Sequence, residues 1–349
     1  MARKLTVVVS QGQSANPAKR KLEEEIVAGL LFERGVEVTV IPHLYDLAPD
    51  GTGMLCLQGI AGDMVVLSWL YSRGAFWTLD RNGIRGREGT TLLISDEGDD
   101  DDEADDENNG AGDKPRVAAG RDRPNRTIWC LDLKVRPDAK SYLDEVARIR
   151  HEATVETVSL GGLLGGLPIV TVPAPVAANG QPRSEASLAS PAQPTVIADE
   201  GNRRWYPVID YARCTNCMEC IDFCLFGVYG VDKVDTILVE QPDNCRKGCP
   251  ACSRVCPENA IIFPQHKTPA IAGSPEGSAG AFKIDLSRLF GAPDALEQAV
   301  LERDVELVAV GRDAVGAAVG LPKRQSDQDG AAPKDDLDKL MDSLDDLDL

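Results

Sequence analysis

Eight of the chain's ten cysteines fall within 43 residues, as Cys214-x2-Cys217-x2-Cys220-x3-Cys224 and Cys245-x3-Cys249-x2-Cys252-x3-Cys256-Pro257. Three cysteines at short intervals on a tight loop supply three converging sulfurs, and a fourth ligand must arrive from elsewhere. Thiolate sets of that kind hold iron-sulfur clusters, whose chemistry is single-electron transfer. Zinc also accepts four thiolates, but its structural sites usually draw on two separated Cys-x-x-Cys pairs. Four disulfides would need an oxidising compartment. The apolar run Leu5 to Val9 is too short for a signal-peptide core and is followed by polar Ser10-Gln11-Gly12-Gln13. A cytoplasmic protein is therefore expected.

The two cysteine runs also read as an internal repeat. A step of 31 residues carries Cys214 onto Cys245, and a step of 32 carries Cys217, Cys220 and Cys224 onto Cys249, Cys252 and Cys256. Strand-like segments precede each run, Tyr206-Pro207-Val208-Ile209 and Ile237-Leu238-Val239. On these residues, positions 203–266 resemble the bacterial-type two-cluster ferredoxin family. The resemblance implies an α+β ferredoxin-like fold, two 4Fe-4S clusters, and a crossed ligand set. Cys214, Cys217 and Cys220 would take Cys256 for the first cluster, and Cys245, Cys249 and Cys252 would take Cys224 for the second. The chain departs from the family at two places: Leu225 follows Cys224 where proline is usual, and Arg246-Lys247-Gly248 puts three residues where two are usual. Gly248 suits the positive φ that such an insertion calls for.

Elements able to carry an independent domain precede the cysteines. Leu5-Thr6-Val7-Val8-Val9 reads as a buried strand, and Asn16-Pro17 as a helix start with asparagine at the cap. That helix carries Leu22, Ile26, Val27, Leu30 and Leu31 on one face, up to Gly35. Further strands are expected at 36–41, 64–67, 91–94 and 127–131, with a closing helix at 141–153. Strands separated by helices predict an open, mostly parallel α/β sheet of flavodoxin- or Rossmann-like type over residues 1–160. An acidic insert at 96–125 has too little apolar surface to order, and a linker rich in Gly, Pro and Ala is expected at 161–202. Beyond the cysteines, a helical extension spans 267–325, with a flexible stretch at 269–280 and an amphipathic helix at 293–311. An acidic amphipathic tail fills 326–349.

The net charge of −19 is unevenly placed. Residues 96–107 carry ten acids and no base, and residues 327–349 carry nine acids and two lysines, so these two segments hold −17 of it. The remainder is near neutral, which argues against a nucleic-acid partner. No apolar run approaches the ~18 residues of a membrane span. Leu337, Leu340, Met341, Leu344 and Leu347 give the tail one apolar stripe, read either as a solubilising end or as a segment that folds into a partner's groove. Arg213, Arg246, Lys247 and Arg254 stand beside ligand cysteines and are placed to raise cluster potential or to receive an acidic partner.

One loop of the N-terminal half could bind a cofactor. Ser10, Gly12, Ser14 and Asn16 lead from the first strand into a helix whose first turns carry Lys19, Arg20 and Lys21. Free amides, hydroxyls and cations together suit a phosphate, and flavodoxin-like proteins hold that of FMN at this position. Hydroxyl-rich loops are also common in α/β domains that bind no phosphate. Trp69 to Trp77, with Asp80 and Arg81, could line a flavin or nucleotide pocket or serve as core and salt bridges. His43, His151 and His266 form no metal set in sequence, and Cys56 and Cys130 read as buried thiols. The expectation is an iron-sulfur electron carrier between protein donor and acceptor, ahead of a substrate-transforming, FMN-dependent oxidoreductase or an interaction protein with structural clusters or zinc.

Overall fold

The computed structural model describes residues 4–93, 115–155, 193–199, 202–274 and 294–316. Segments rich in β-branched and other apolar residues form the strands β1 (Leu5–Ser10), β2 (Val36–Ile41), β3 (Met64–Ser68) and β5 (Thr127–Asp132). The intervening helices are α1 (Pro17–Leu31), α2 (Thr52–Gly59) and α3 (Ser72–Arg81), and α4 (Ala139–Val155) follows β5. Two short strands complete the sheet, β4 (Arg87–Glu88) and β6 (Thr195–Val196). The spatial order is β4-β5-β3-β1-β2-β6, and every neighbouring pair is parallel. A parallel sheet needs crossovers long enough to hold a helix, and the α/β alternation supplies them.

Alternation along the strands sorts two cores. Val7, Val9, Val65, Leu67, Trp129 and Leu131 face α1 and α4. Val8, Met64, Val66, Ile128 and Cys130 face the other way, onto α2 and α3. Asn16 accepts from the Ala18 N–H at 2.9 Å to cap α1, and Pro17 opens its first turn. The helix stops at Leu31, and Gly35, at φ +81°, turns the chain into β2.

Residues 202–274 build the second unit from β7 (Val208–Ile209), α5 (Glu219–Phe223), β8 (Tyr229–Val231), β9 (Ile237–Val239), α6 (Ala251–Val255), β10 (Ile261–Ile262) and α7 (Pro269–Ala272). β7 pairs antiparallel with β10, and β8 with β9. Its apolar residues Tyr206, Val208, Ile209, Ile261, Ile262 and Phe263 join the same core as α2 and α3. Tyr45 and Tyr206 stack at 4.2 Å between ring centres, the Tyr206 N–H donates to Tyr45 Oη at 2.6 Å, and Tyr206 Oη donates back to the Tyr45 carbonyl at 2.9 Å. A last helix, α8 (Ala295–Ala309), starts in a capping box of Asp294 and Glu297 and lies on α6 through a two-pronged Arg254–Glu302 pair at 2.9 and 3.0 Å.

Four expectations change. The fourth strand lies at 87–88, not at 91–94. Gly86 and Gly89 flank it, and a Cβ on Gly89 would stand 2.3 Å from the Trp129 ring, so the backbone comes this close to β5 only at glycine. Leu92 then leaves the sheet, its N–H donating to Glu145 of α4 at 2.9 Å. Within 96–125, the described residues 115–125 are ordered: a 3-10 turn at Val117–Gly120 donates the Val117 and Ala118 N–H groups to the Cys214 and Tyr211 carbonyls, both at 2.9 Å. Within 161–202, β6 extends the sheet, and the Asp199 carboxylate accepts from the Gly53 N–H at 3.2 Å at the start of α2. Within 269–280, Pro269–Ala272 is helical and ends at Gly273 with φ +94°. Residues 96–114, 161–192, 275–280 and the acidic tail 326–349 lie outside the described residues.

Candidate functional site

The first cysteine loop leaves β7 at Asp210. Its side chain accepts the Ala212 N–H at 2.9 Å, and its carbonyl accepts the Cys214 N–H at 2.9 Å. Asn216 and Met218 then take positive φ, 60° and 66°, which curls the backbone around the sulfurs. Asn216 is held in that state by its side chain, which donates to the Asp235 carbonyl at 2.8 Å and accepts from the Ile237 N–H at 2.9 Å. The second loop performs the same turn with its additional residue: Gly248 has φ +92°, and the Cys249 N–H returns to the Arg246 carbonyl at 3.0 Å.

Two cavities receive the eight sulfurs. Cys214, Cys217, Cys220 and Cys256 line one of about 380 Å³, with Ile209, Met218 and Ile237. Cys224, Cys245, Cys249 and Cys252 line another of about 320 Å³, with Phe223, Phe226, Tyr229, Arg246 and Arg303. Each cavity thus draws three cysteines from one run and the last cysteine of the other. Among the described residues no three His, Cys, Asp or Glu side chains converge at single-ion distance.

Hydrogen bonds point at the sulfurs. The Asn216 N–H reaches Cys214 Sγ at 3.4 Å and the Ala260 N–H reaches Cys256 Sγ at 3.3 Å. Tyr229 Oη donates to Cys252 Sγ at 3.1 Å. Burial, together with the neighbouring cysteines, pushes the Cys220 thiol up to about 12, and burial, partly opposed by the Asn216 N–H, pushes the Cys214 thiol up to about 11. Burial likewise holds Cys249 up at about 11. Four thiols crowded in this way ionise at neutral pH only around a compensating cation, and a metal or metal cluster provides one while protons leave. The donor set therefore fits a thiolate-bound metal group.

Sequence reasoning left Arg73 between pocket lining and a salt bridge, without its partner, and missed Trp205 and Arg303 as groups that position these loops. Arg73 of α3 donates Nε to Asp210 at 2.6 Å and Nη2 to the Asn259 carbonyl, which ties both cysteine runs to the α/β unit. Trp205 stacks on Phe263 at 5.2 Å and donates Nε1 to the Cys249 carbonyl at 3.1 Å. The Arg303 guanidinium of α8 lies 4.6 Å from the Phe223 ring centre, at the wall of the second cavity. Of the four basic residues beside the cysteines, Arg254 is paired with Glu302 and Arg213 lies 3.6 Å from Asp210. Arg246 lies over Phe226 at 5.4 Å, and Lys247 is exposed.

The loop after β1 has its polar groups engaged inside the protein. Ser10 is buried, donating to the Pro42 carbonyl and accepting from the Leu44 N–H. The Gly12 N–H donates to the buried Glu23 carboxylate at 2.7 Å, Ser14 Oγ accepts from the Asn16 N–H, and Asn16 caps the helix. A phosphate at this loop would have to displace the protein's own Glu23. The segment after β3 divides: Arg73, Phe76, Trp77 and Asp80 are buried, Asp80 pairing with Arg121 at 3.0 Å, while Trp69 and Tyr71 face an open cleft. Cys130 is buried, Cys56 is half-buried, and His43 and His266 border that same cleft.

The chain is 52% identical over 66 residues to an uncharacterized ferredoxin of Methanocaldococcus jannaschii. That match covers 19% of this chain and 44% of the relative, so the chain spans less than half of the curated protein it resembles. No family model matches the chain. No solved structure matches it significantly. A ferredoxin-type domain is therefore supported in part of the chain, beside an α/β unit built on a parallel sheet. No helix among the described residues is long and apolar enough to cross a membrane.

Proposed function

We propose that this protein carries single electrons between protein redox partners on two 4Fe-4S clusters. The first is held by Cys214, Cys217, Cys220 and Cys256, and the second by Cys245, Cys249, Cys252 and Cys224. The observation that carries this reading is the crossed lining of the two cavities, each taking three thiols from one run and one from the other. The partial likeness to a ferredoxin supports the same chemistry. When bound, such clusters supply one-electron storage. The chain's own residues do the rest. Phe223, Phe226 and Tyr229 exclude water from the second cavity, and Ile209 and Ile237 from the first. The donors to sulfur favour the more negative, reduced state. Cys217 is the one exposed cysteine of the eight, so the rim of the first cavity is where a partner would exchange electrons.

Anaerobically purified protein, assayed together for iron, sulfide, zinc and flavin and reduced with dithionite for EPR, tests this reading. About eight irons and eight sulfides with a reduced-cluster signal are expected for two cubanes. Zinc without sulfide would overturn it. A second expectation concerns the tyrosine donor: Tyr229→Phe keeps the ring and removes the bond to Cys252 Sγ. The potential of the second cluster should fall by about 60 mV, equivalent to ~1.4 kcal/mol for one electron. An unchanged potential in a redox titration would mean that the phenol does not tune that site.

A further inference from the structure

The carboxyl ends of β1 and β3 flank the point where the strand order turns, with β2 and β6 on one side and β5 and β4 on the other. Loops diverge there in open parallel sheets and leave a crevice suited to ligands. In this protein the crevice opens into a cleft of about 470 Å³ that residues of both units line. Its lining includes Lys19, Lys134, Arg203, Lys267, His43 and His266, and no carboxylate. That is a concentrated positive site in a chain of net charge −19.

Two of the cations lie over aromatic rings, and the set is incompletely neutralised. Lys19 Nζ lies 4.2 Å from the Trp69 ring centre and Lys134 Nζ 3.3 Å from that of Tyr71. Lys134 is paired with Asp132 at 3.2 Å, whereas Lys19, Arg203 and Lys267 make no ion pair among the described residues. Two acids below the lining are occupied: Glu23 accepts from the Gly12 N–H and from Trp69 Nε1, both at 2.7 Å, and Asp46 accepts from Gln265 at 2.9 Å and the Arg204 N–H at 3.1 Å, with His43 3.5 Å away. Only 9% of His43 is exposed. Burial lowers its basicity, Asp46 opposes this, and the fields of Arg203 and Lys19 lower it further. The fields of Arg203 and Lys19 are thus felt at the floor of the cleft, against the opposing field of Asp46.

We propose that this cleft binds a phosphorylated small molecule, with Lys19, Lys134, Arg203 and Lys267 supplying the charge that meets the phosphate. Compact ammonium groups on flexible stems suit a phosphate of several charges and oxygens. The cleft's volume leaves room for an organic remainder of cofactor size. Gly12, Gln13 and Ser14 of the loop after β1 also line this cleft, but the Gly12 N–H is engaged by Glu23, so the charge that meets the phosphate comes from the four cationic side chains. His266 also borders the surface beside Cys249, and its ring lies 6.3 Å from that of Trp205, whose Nε1 donates to the Cys249 carbonyl. A bound molecule would sit one aromatic pair from a thiol of the second cavity. Binding itself does not depend on the electron-transfer reading.

The test is calorimetric titration of the full-length, anaerobically purified protein with inorganic pyrophosphate. The parent is compared with the double variant Lys19→Ala/Arg203→Ala and with Lys4→Ala, an exposed basic change at the other end of β1. Saturable binding is expected, weakened about tenfold or more in the double variant and changed less than about twofold by Lys4→Ala, with iron content constant. No saturable binding up to about 10 mM would overturn the proposal, as would equal losses in all the variants, which would report net charge alone. Should the double variant lose iron, Lys267→Gln at an exposed position replaces it, and unchanged affinity there overturns the proposal equally.

Discussion

Replacing Arg73 with methionine should destabilise the protein by about 3–5 kcal/mol, the usual cost of stranding one partner of a buried ion pair. Both side chains of the pair are almost fully buried, at 8% and 3% exposure, and their polar atoms lie 2.6 Å apart. Arg73 also donates to the Asn259 carbonyl, so its loss strands two acceptors. Arg213, at 3.6 Å from Asp210, stays behind as partial compensation and places the expected cost toward the lower bound. Asp210→Asn in the same chain should recover part of the loss, because the buried carboxylate charge is then gone, and the half-buried Arg213 losing that neighbour keeps the recovery incomplete. Urea unfolding of anaerobic samples measures both. A single variant within about 0.5 kcal/mol of the parent would show that the contact contributes nothing to the fold.

The second large effect separates the crossed ligand set from a simple one. Cys256→Ala should remove the cluster of Cys214, Cys217 and Cys220, although Cys256 belongs by sequence to the other run. Cys224→Ala should remove that of Cys245, Cys249 and Cys252. Each variant should retain about four irons of about eight. Cys256→Ala should then resemble Cys217→Ala by EPR and differ from Cys252→Ala. If Cys256→Ala resembled Cys252→Ala instead, each run would bind its own cluster and the crossing would be wrong.

Much of the site was legible because thiolate ligation is written in local spacing. Cys214 to Cys224 fixes a loop whatever surrounds it, and Gly248 marked the one place where the second loop needs a left-handed residue. The strands β1, β3 and β5 were legible because burial on both faces demands continuous apolar runs. β4 and β6 were not, because two residues carry no period and each pairs only because a neighbouring strand is present. Gly89 is intelligible only against Trp129, 40 positions away by number. Arg73 and Asp210 are 137 residues apart, and no pattern in either segment announces the other. The same holds for Asp46, which gathers Gln13, Gln265 and the Arg204 N–H from three separate stretches.

The two-residue strands β4 and β6 stand at the outermost positions of the six-stranded sheet. An open parallel sheet ends in rows of unpaired amides and carbonyls, which recruit strands from other molecules. Here each margin offers a segment too short to template such addition, and Pro194 immediately precedes β6. Cutting the chain after α4 to isolate the α/β unit would strip away β6, which pairs with Thr39 and Val40, and leave all six residues of β2 bare along one side. Such a fragment would self-associate through that margin, whereas the intact chain carries its own guard strand.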